Sequence, residues 1–187
     1  MKTIQKSGLV VVAMLIIASC TKKETTPPTA GATNSILLAG AKGASISWKI
    51  ASISQAANGT TRTVVPATSS TSGIPGCEAD NIFQFSYTTQ SYQQTEGATS
   101  CTPGDPATVE KGSWAFTDDG KTLLIDGNVN ITAAQVQLPA EPFLGFMILD
   151  GQSLTVSQLT AMSLTLSYSY IDSNSVTNII TLVFSKM

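Results

Sequence analysis

Ser163-Leu164-Thr165-Leu166-Ser167-Tyr168-Ser169-Tyr170 alternates small polar with large apolar side chains over eight residues. Successive residues of a strand project to opposite faces, so this period of two predicts a strand. Leu164, Leu166, Tyr168 and Tyr170 would form its buried face, and the Ser and Thr residues the other. Asp172-Ser173-Asn174-Ser175 then reads as a turn into a last strand carrying Ile180, Leu182 and Phe184. The same period extends back to about residue 45. Ile46, Trp48 and Ile50 alternate with Ser47, Lys49 and Ala51, and Asn58-Gly59, which tolerate positive φ, predict a tight hairpin before Thr60 to Val65. Phe83, Phe85 and Tyr87 alternate with Gln84 and Ser86. Trp114 and Phe116 end a further strand, Asp118-Asp119-Gly120-Lys121 makes a turn, and Leu123 with Ile125 begins the next; Asp126-Gly127-Asn128 breaks the pattern ahead of Val129 and Ile131. No useful length has a 3.6-residue period, although Ile36 to Ala41 fits a short helical turn. The expectation is an all-β domain of antiparallel strands.

Other stretches do not alternate. Thr68 to Gly76, Ala98 to Pro106 and Leu138 to Pro142 are rich in Ser, Thr, Gly and Pro and read as loops. Phe143 to Leu149 is apolar at nearly every position, so either both its faces are covered or one meets something outside the domain, such as a partner protein.

The N-terminus carries an address. Lys2 and Lys6 precede an apolar stretch from Gly8 that ends in Leu15-Ile16-Ile17-Ala18-Ser19-Cys20, the pattern of a bacterial lipoprotein signal and lipobox. Residues 1–19 are expected to be the signal peptide, and Cys20 the lipidated first residue of the mature chain, anchoring it to a membrane at roughly 0.8 kcal/mol per buried methylene. Residues 20–35, rich in Thr, Pro, Ala and Gly, lack the apolar area needed to offset chain entropy and read as a flexible tether. Residues 36–187 remain for one domain, at the outer membrane or cell surface of a Gram-negative cell and facing either the periplasm or the outside. Beyond residue 35, six cationic side chains stand against eleven carboxylates, which argues against a nucleic-acid partner. With Cys20 assigned to lipid, Cys77 and Cys101 are an even pair in an exported chain. A disulfide between them would stabilise the fold by about 3 kcal/mol on the loop-entropy estimate.

Chemistry at a catalytic centre finds little support. The chain contains no histidine, so neither a Ser-His nor a Cys-His nucleophile can be assembled, and a zinc site on two cysteines is improbable. Asp118-Asp119, a carboxylate pair of the kind acid-base or metal chemistry uses, sit beside Gly120-Lys121 and read as a hairpin turn. Glu78, Asp80 and Asn81 fall short of the six to eight oxygens that calcium takes. No enzyme activity, metal or cofactor is expected. All twelve aromatic residues lie beyond residue 35. Trp48, Phe83, Phe85, Tyr87, Trp114, Phe116, Tyr168 and Tyr170 are the candidate ligand-binding residues, lining an apolar cavity in which a Tyr168 or Tyr170 hydroxyl orients a ligand; the same rings equally suit a packed core.

The order of landmarks resembles the lipocalin-like domain common in bacterial lipoproteins. The resemblance rests on Trp48, on Cys77-Glu78-Ala79-Asp80-Asn81-Ile82-Phe83-Gln84-Phe85, on Cys101, on Gly112-Ser113-Trp114, on Asp119-Gly120-Lys121-Thr122-Leu123, and on Leu159-Thr160 with Leu164-Thr165-Leu166. It covers about residues 42 to 187 and implies an up-and-down antiparallel β-barrel of about eight strands, a shape that removes exposed strand edges and is either filled by side chains or holds one small molecule. Two departures stand out: Ile46-Ser47-Trp48 replaces an initial Gly-x-Trp, and Gln135 to Leu154 is long and apolar. The expected function is therefore lipid-anchored binding of a small apolar ligand. The alternatives are a filled barrel that docks a protein partner, and an open β-sandwich that binds glycans through an exposed Trp48 or Trp114.

Overall fold

The structure, a computed structural model, describes residues 27–65, 76–100, 106–129 and 149–187. The signal segment, Cys20, Cys101 and residues 143–148 of the apolar stretch lie outside the described residues. The elements are α1 (Ala30–Ala39), β1 (Ser45–Ala57), β2 (Thr60–Val65), α2 (Gly76–Ala79), β3 (Ile82–Ser86), β4 (Ser91–Thr95), β5 (Thr108–Phe116), β6 (Thr122–Val129), β7 (Ser153–Leu159), β8 (Ser163–Ile171) and β9 (Thr177–Lys186). All pairings are antiparallel, and β9 returns to pair with β1, closing β1-β3-β4-β5-β6-β7-β8-β9 into an eight-stranded up-and-down barrel. The hairpin strand β2 lies outside that ring, against Ile53 to Ala57 of β1, on the edge that β3 occupies over Ser45 to Lys49.

Inward faces follow the alternation. Leu164, Leu166 and Tyr168 are buried on β8, and Ile180, Leu182 and Phe184 beside them on β9. Asn58 and Gly59 take positive φ (50° and 76°) in the β1–β2 turn, as that dipeptide predicts. In β1 the parity changes midway. Trp48 and Ile50 face inward, the register against β9 shifts between Ile50 and Ser52, and from there Ile53 and Gln55 face inward. A bulge of this kind re-aims the later half of a strand without ending it.

Three elements differ from their sequence readings. The Asp126-Gly127-Asn128 triplet does not break the chain: β6 runs through it, because Gly127 pairs with Gly112 and its missing side chain leaves room for that of Glu110. β4 was not legible, since its inward residues are Tyr92 and the amide Gln94. Residues 30–35, expected to be part of the tether, belong to α1, which starts six residues before the helical turn read at Ile36.

Helix α1 is weak by composition, with Gly31, Thr33, Asn34 and Ser35 among its first six residues. Tertiary contacts hold it instead. The Thr29 side chain accepts from Ala32 N at 3.2 Å and Gly40, at φ 86°, donates to Ile36 O at 2.9 Å, capping both ends. Leu38 and Ala39 are buried in the barrel core, and Trp48 Nε1 donates to Leu38 O at 2.9 Å. Gly31 N donates to Asp118 O at 3.1 Å and Asn34 Nδ2 to Gly120 O at 2.9 Å, which locks the helix to the β5–β6 turn. That approach is close enough that a Cβ on Gly31 would stand 2.4 Å from Thr117 O. In an isolated helix Gly31→Ala would gain about 1 kcal/mol. Here the backbone clash opposes and outweighs it, so this substitution is expected to lower the thermal unfolding midpoint, with a loss of about 1–3 kcal/mol in denaturant titration.

Candidate functional site

The barrel interior divides into an apolar floor and a polar upper half. Near α1, rings fill the space against one another: Phe83 with Phe184 (centroids 5.1 Å apart), Phe85 with Tyr92 (5.1 Å), Phe85 with Trp114 (6.1 Å) and Trp114 with Phe116 (6.0 Å). Trp48, Phe83, Phe85 and Trp114 are buried within this cluster. Five of the eight candidate binding aromatics, counting the half-buried Phe116, therefore act as packing. Tyr87 is also half-buried and joins Trp114 beside an outer groove of about 420 Å³, where α1 crosses the β3–β4 turn. Burial of both tryptophans removes the exposed platform that a glycan-binding sandwich required.

Of the eight, Tyr170 packs against the core and joins a polar relay, and Tyr168, in the core cluster, stands two residues before it on the same strand. Away from α1 the inward face carries Gln55, Gln94, Glu110 and Asn178, all buried. On the β1–β9–β8 wall, Arg62 Nε donates to Gln55 Oε1 at 2.8 Å, and Gln55 Nε2 donates to Asn178 Oδ1 at 2.7 Å and to the Tyr170 hydroxyl at 3.2 Å. Asn178 Nδ2 in turn donates to Asp172 Oδ2 at 3.3 Å and Val176 O at 3.0 Å, tying the relay to the β8–β9 turn. Backbone donors at Val176 and Asn174 hold the Asp172 carboxyl below its ordinary range.

On the opposite wall Glu110 is fully buried. It accepts from the Tyr92 hydroxyl (2.8 Å), from Leu149 N (3.2 Å) and from Asp150 N (2.6 Å), while Asp150 Oδ1 accepts from Gly127 N (2.8 Å). Burial raises the Glu110 carboxyl above its ordinary value, and the three donors offset part of that rise. Burial, with the neighbouring Glu110 charge, likewise drives the Tyr92 hydroxyl well up. This carboxylate pins the chain entering β7, which is a positioning role.

Among the described residues, two buried side chains on the inward face have an atom left without a partner, Gln94 Nε2 and the Tyr168 hydroxyl; Asp80 Oδ1 is a further such atom, beside the end of α2. Burial raises the pKa of Tyr168, and Tyr170 adds to the rise, so this group is a neutral donor. The Tyr92 proton goes to Glu110 at 2.8 Å, so Gln94 Oε1, 3.4 Å from that hydroxyl, gains little from it. Gln94 escaped the sequence reading because a glutamine in an alternating segment looks like an outward residue; its spacing of two from Tyr92 was the available signal.

The remaining candidates are structural in place. Asp119 Oδ1 accepts from the Thr117 hydroxyl (2.7 Å) and from Lys121 N (3.0 Å), which lowers its carboxyl and makes the expected turn. Asp80 Oδ2 accepts from Ala98 N (3.0 Å) and Thr99 N (3.1 Å). Among the described residues no three His, Cys, Asp or Glu side chains gather as a metal site, and no helix is long and apolar enough to cross a membrane. No family model matches the chain, and no curated protein matches it in sequence. Fold and site together define a closed antiparallel β-barrel with a helix over one end and a polar upper interior.

Truncating Glu110 to Ala would strand one hydroxyl and two backbone donors and is expected to cost about 3 kcal/mol, with Glu110→Gln costing less. A raised folded pKa stabilises below the ordinary glutamate range, and that contribution is lost as pH rises through the folded value. Chemical denaturation across pH 4 to 8 should therefore give a shallower fall in stability for Glu110→Gln than for the parent.

Proposed function

We propose that this chain is a lipid-anchored, non-catalytic binding protein of the cell envelope, lipocalin-like in type, which holds a small and largely apolar molecule in the upper half of its barrel. The observation that carries the reading is the closed barrel whose packed floor gives way to an inward face bearing buried polar atoms without partners. Barrels of eight strands are either filled by side chains or hold one small ligand, and in those that hold one a few convergent polar groups on an apolar wall orient the occupant. With α1 over one end, the ligand enters from the other. The anchor would be Cys20 at the end of its lipobox, with the outer membrane or cell surface as the address. Trp48 and Trp114, both in the floor, make tryptophan fluorescence the natural assay. Binding of a sterol, fatty-acid or aromatic-metabolite probe is expected to change emission and raise the unfolding midpoint by mass action. A solid floor also suits the rival reading, a filled barrel that docks a protein. Silence from every probe, with a partner captured or self-association in light scattering, would decide for it.

The same reading includes a Cys77–Cys101 disulfide. Asp80 draws Ala98 and Thr99 against the end of α2, which brings the chain leading to Cys101 beside the helix that holds Cys77. Cys77→Ser is expected to cost about 3 kcal/mol in denaturant titration and to abolish any effect of reductant on the parent's stability. Indifference of the parent to dithiothreitol would remove the bridge from the account.

A further inference from the structure

We infer that the molecule bound in the barrel is neutral and carries a hydrogen-bond acceptor such as a ketone, ester or amide carbonyl, met by the Gln94 amide and the Tyr168 hydroxyl from opposite walls. The inference rests on the small-ligand reading above and names the class of ligand.

Placement comes first. In the ring β1-β3-β4-β5-β6-β7-β8-β9, β4 and β8 are four strands apart in either direction, so Gln94 and Tyr168 belong to facing walls. Their heights also agree. Strands in a barrel tilt, so a row of paired residues spirals along the axis as it goes round. From Gln94 one way, the row passes Phe83, Trp48 and Lys186, whose amide bonds to Met162 just before β8. The other way it passes Glu110 and Val129, heading beyond the β7 start and hence past the far end of β8. The point level with Gln94 is midway between those two arrivals, which is where Tyr168 stands. Both residues mark the border of floor and upper half: Tyr168 follows Leu164 and Leu166, and Gln94 follows Tyr92.

Chemistry then selects the ligand. Each of these two inward-facing groups can donate, through the amide N–H of Gln94 and the phenol O–H of Tyr168, and each is buried (0% and 8% exposed). A buried donor with no acceptor has lost its hydration without a replacement bond, and an acceptor-bearing ligand would supply that bond. Charge decides between acceptors. Glu110 is the register partner of Gln94, and its buried carboxylate is already supplied with three donors. A second carboxylate beside it meets repulsion in a medium of low dielectric, so a ketone or ester fits where a fatty-acid anion does not.

The test compares 2-decanone, decanoate and decane, three probes of similar length, against the whole detergent-solubilised chain and its Gln94→Leu and Tyr168→Phe variants, read by tryptophan fluorescence. The ketone is expected to bind at least ten-fold tighter than decanoate. Each variant should weaken the ketone about five-fold and leave decane unchanged. Without any probe, Gln94→Leu should raise the unfolding midpoint, because it removes an unpaired donor; a clear fall would mean the amide is already satisfied and would overturn the inference. Equal binding of all three probes, or of the ketone by parent and variants, overturns it too while the small-ligand reading stands. If no probe binds to any form, both fall.

Discussion

The seam between β1 and β9 is the constraint on which everything else depends. Nine residue pairs from Trp48–Lys186 to Ala57–Asn178 join the first strand to the last, and without them the meander would be an open sheet with two bare edges. Closure gives the chain an inside. Only then do residues from β1, β4, β5 and β8, distant in sequence, face a common axis. It also demands contacts of long sequence separation, the kind whose loop-closure entropy must be met before they stabilise anything. The register shift between Ile50 and Ser52 serves that closure by turning the second half of β1 so that Ile53 and Gln55, rather than their neighbours, look inward.

Inside the ring, two physical demands are separated along the axis. Hydrophobic burial is concentrated near α1, where Leu38 and Ala39 join Trp48, Phe85 and Trp114, and where the Trp48 indole nitrogen, which must find an acceptor once buried, takes the Leu38 carbonyl at the helix end. Hydrogen bonding dominates above it. Arg62, Gln55, Asn178 and Asp172 form one relay and Tyr92, Glu110 and the Leu149–Asp150 backbone another. Because each relay is internally matched, the Gln94 amide and the Tyr168 hydroxyl stand out among the described inward-facing groups.

Much of the architecture was legible in the chain. Alternation in 163–170 and 45–50, the Asn58-Gly59 and Asp119-Gly120 turns and the aromatic positions all express local rules, side-chain direction and φ preference, that operate whatever lies across the sheet. The candidate site was legible in much smaller part. Five of the eight aromatics proved to be floor, and the polar residues that define the upper half looked like surface. Glu110 carries no mark of burial in its own segment and Gln94 only its spacing of two from Tyr92, because the residues that cover them belong to other segments of the chain.

The sequence by itself determined an antiparallel, period-two chain with its turns in place, an N-terminal segment read as an export and lipidation signal, and no histidine for catalysis. Tertiary structure alone decided that α1 begins at Ala30, that Gly127 continues a strand, and that Gln94 faces Tyr168 across a barrel. The reason is common to all three: local preference is a property of a few adjacent residues, whereas Gly31 against Thr117, Gly127 beside Glu110 and the two facing donors are set by chain segments that meet only once the ring has closed.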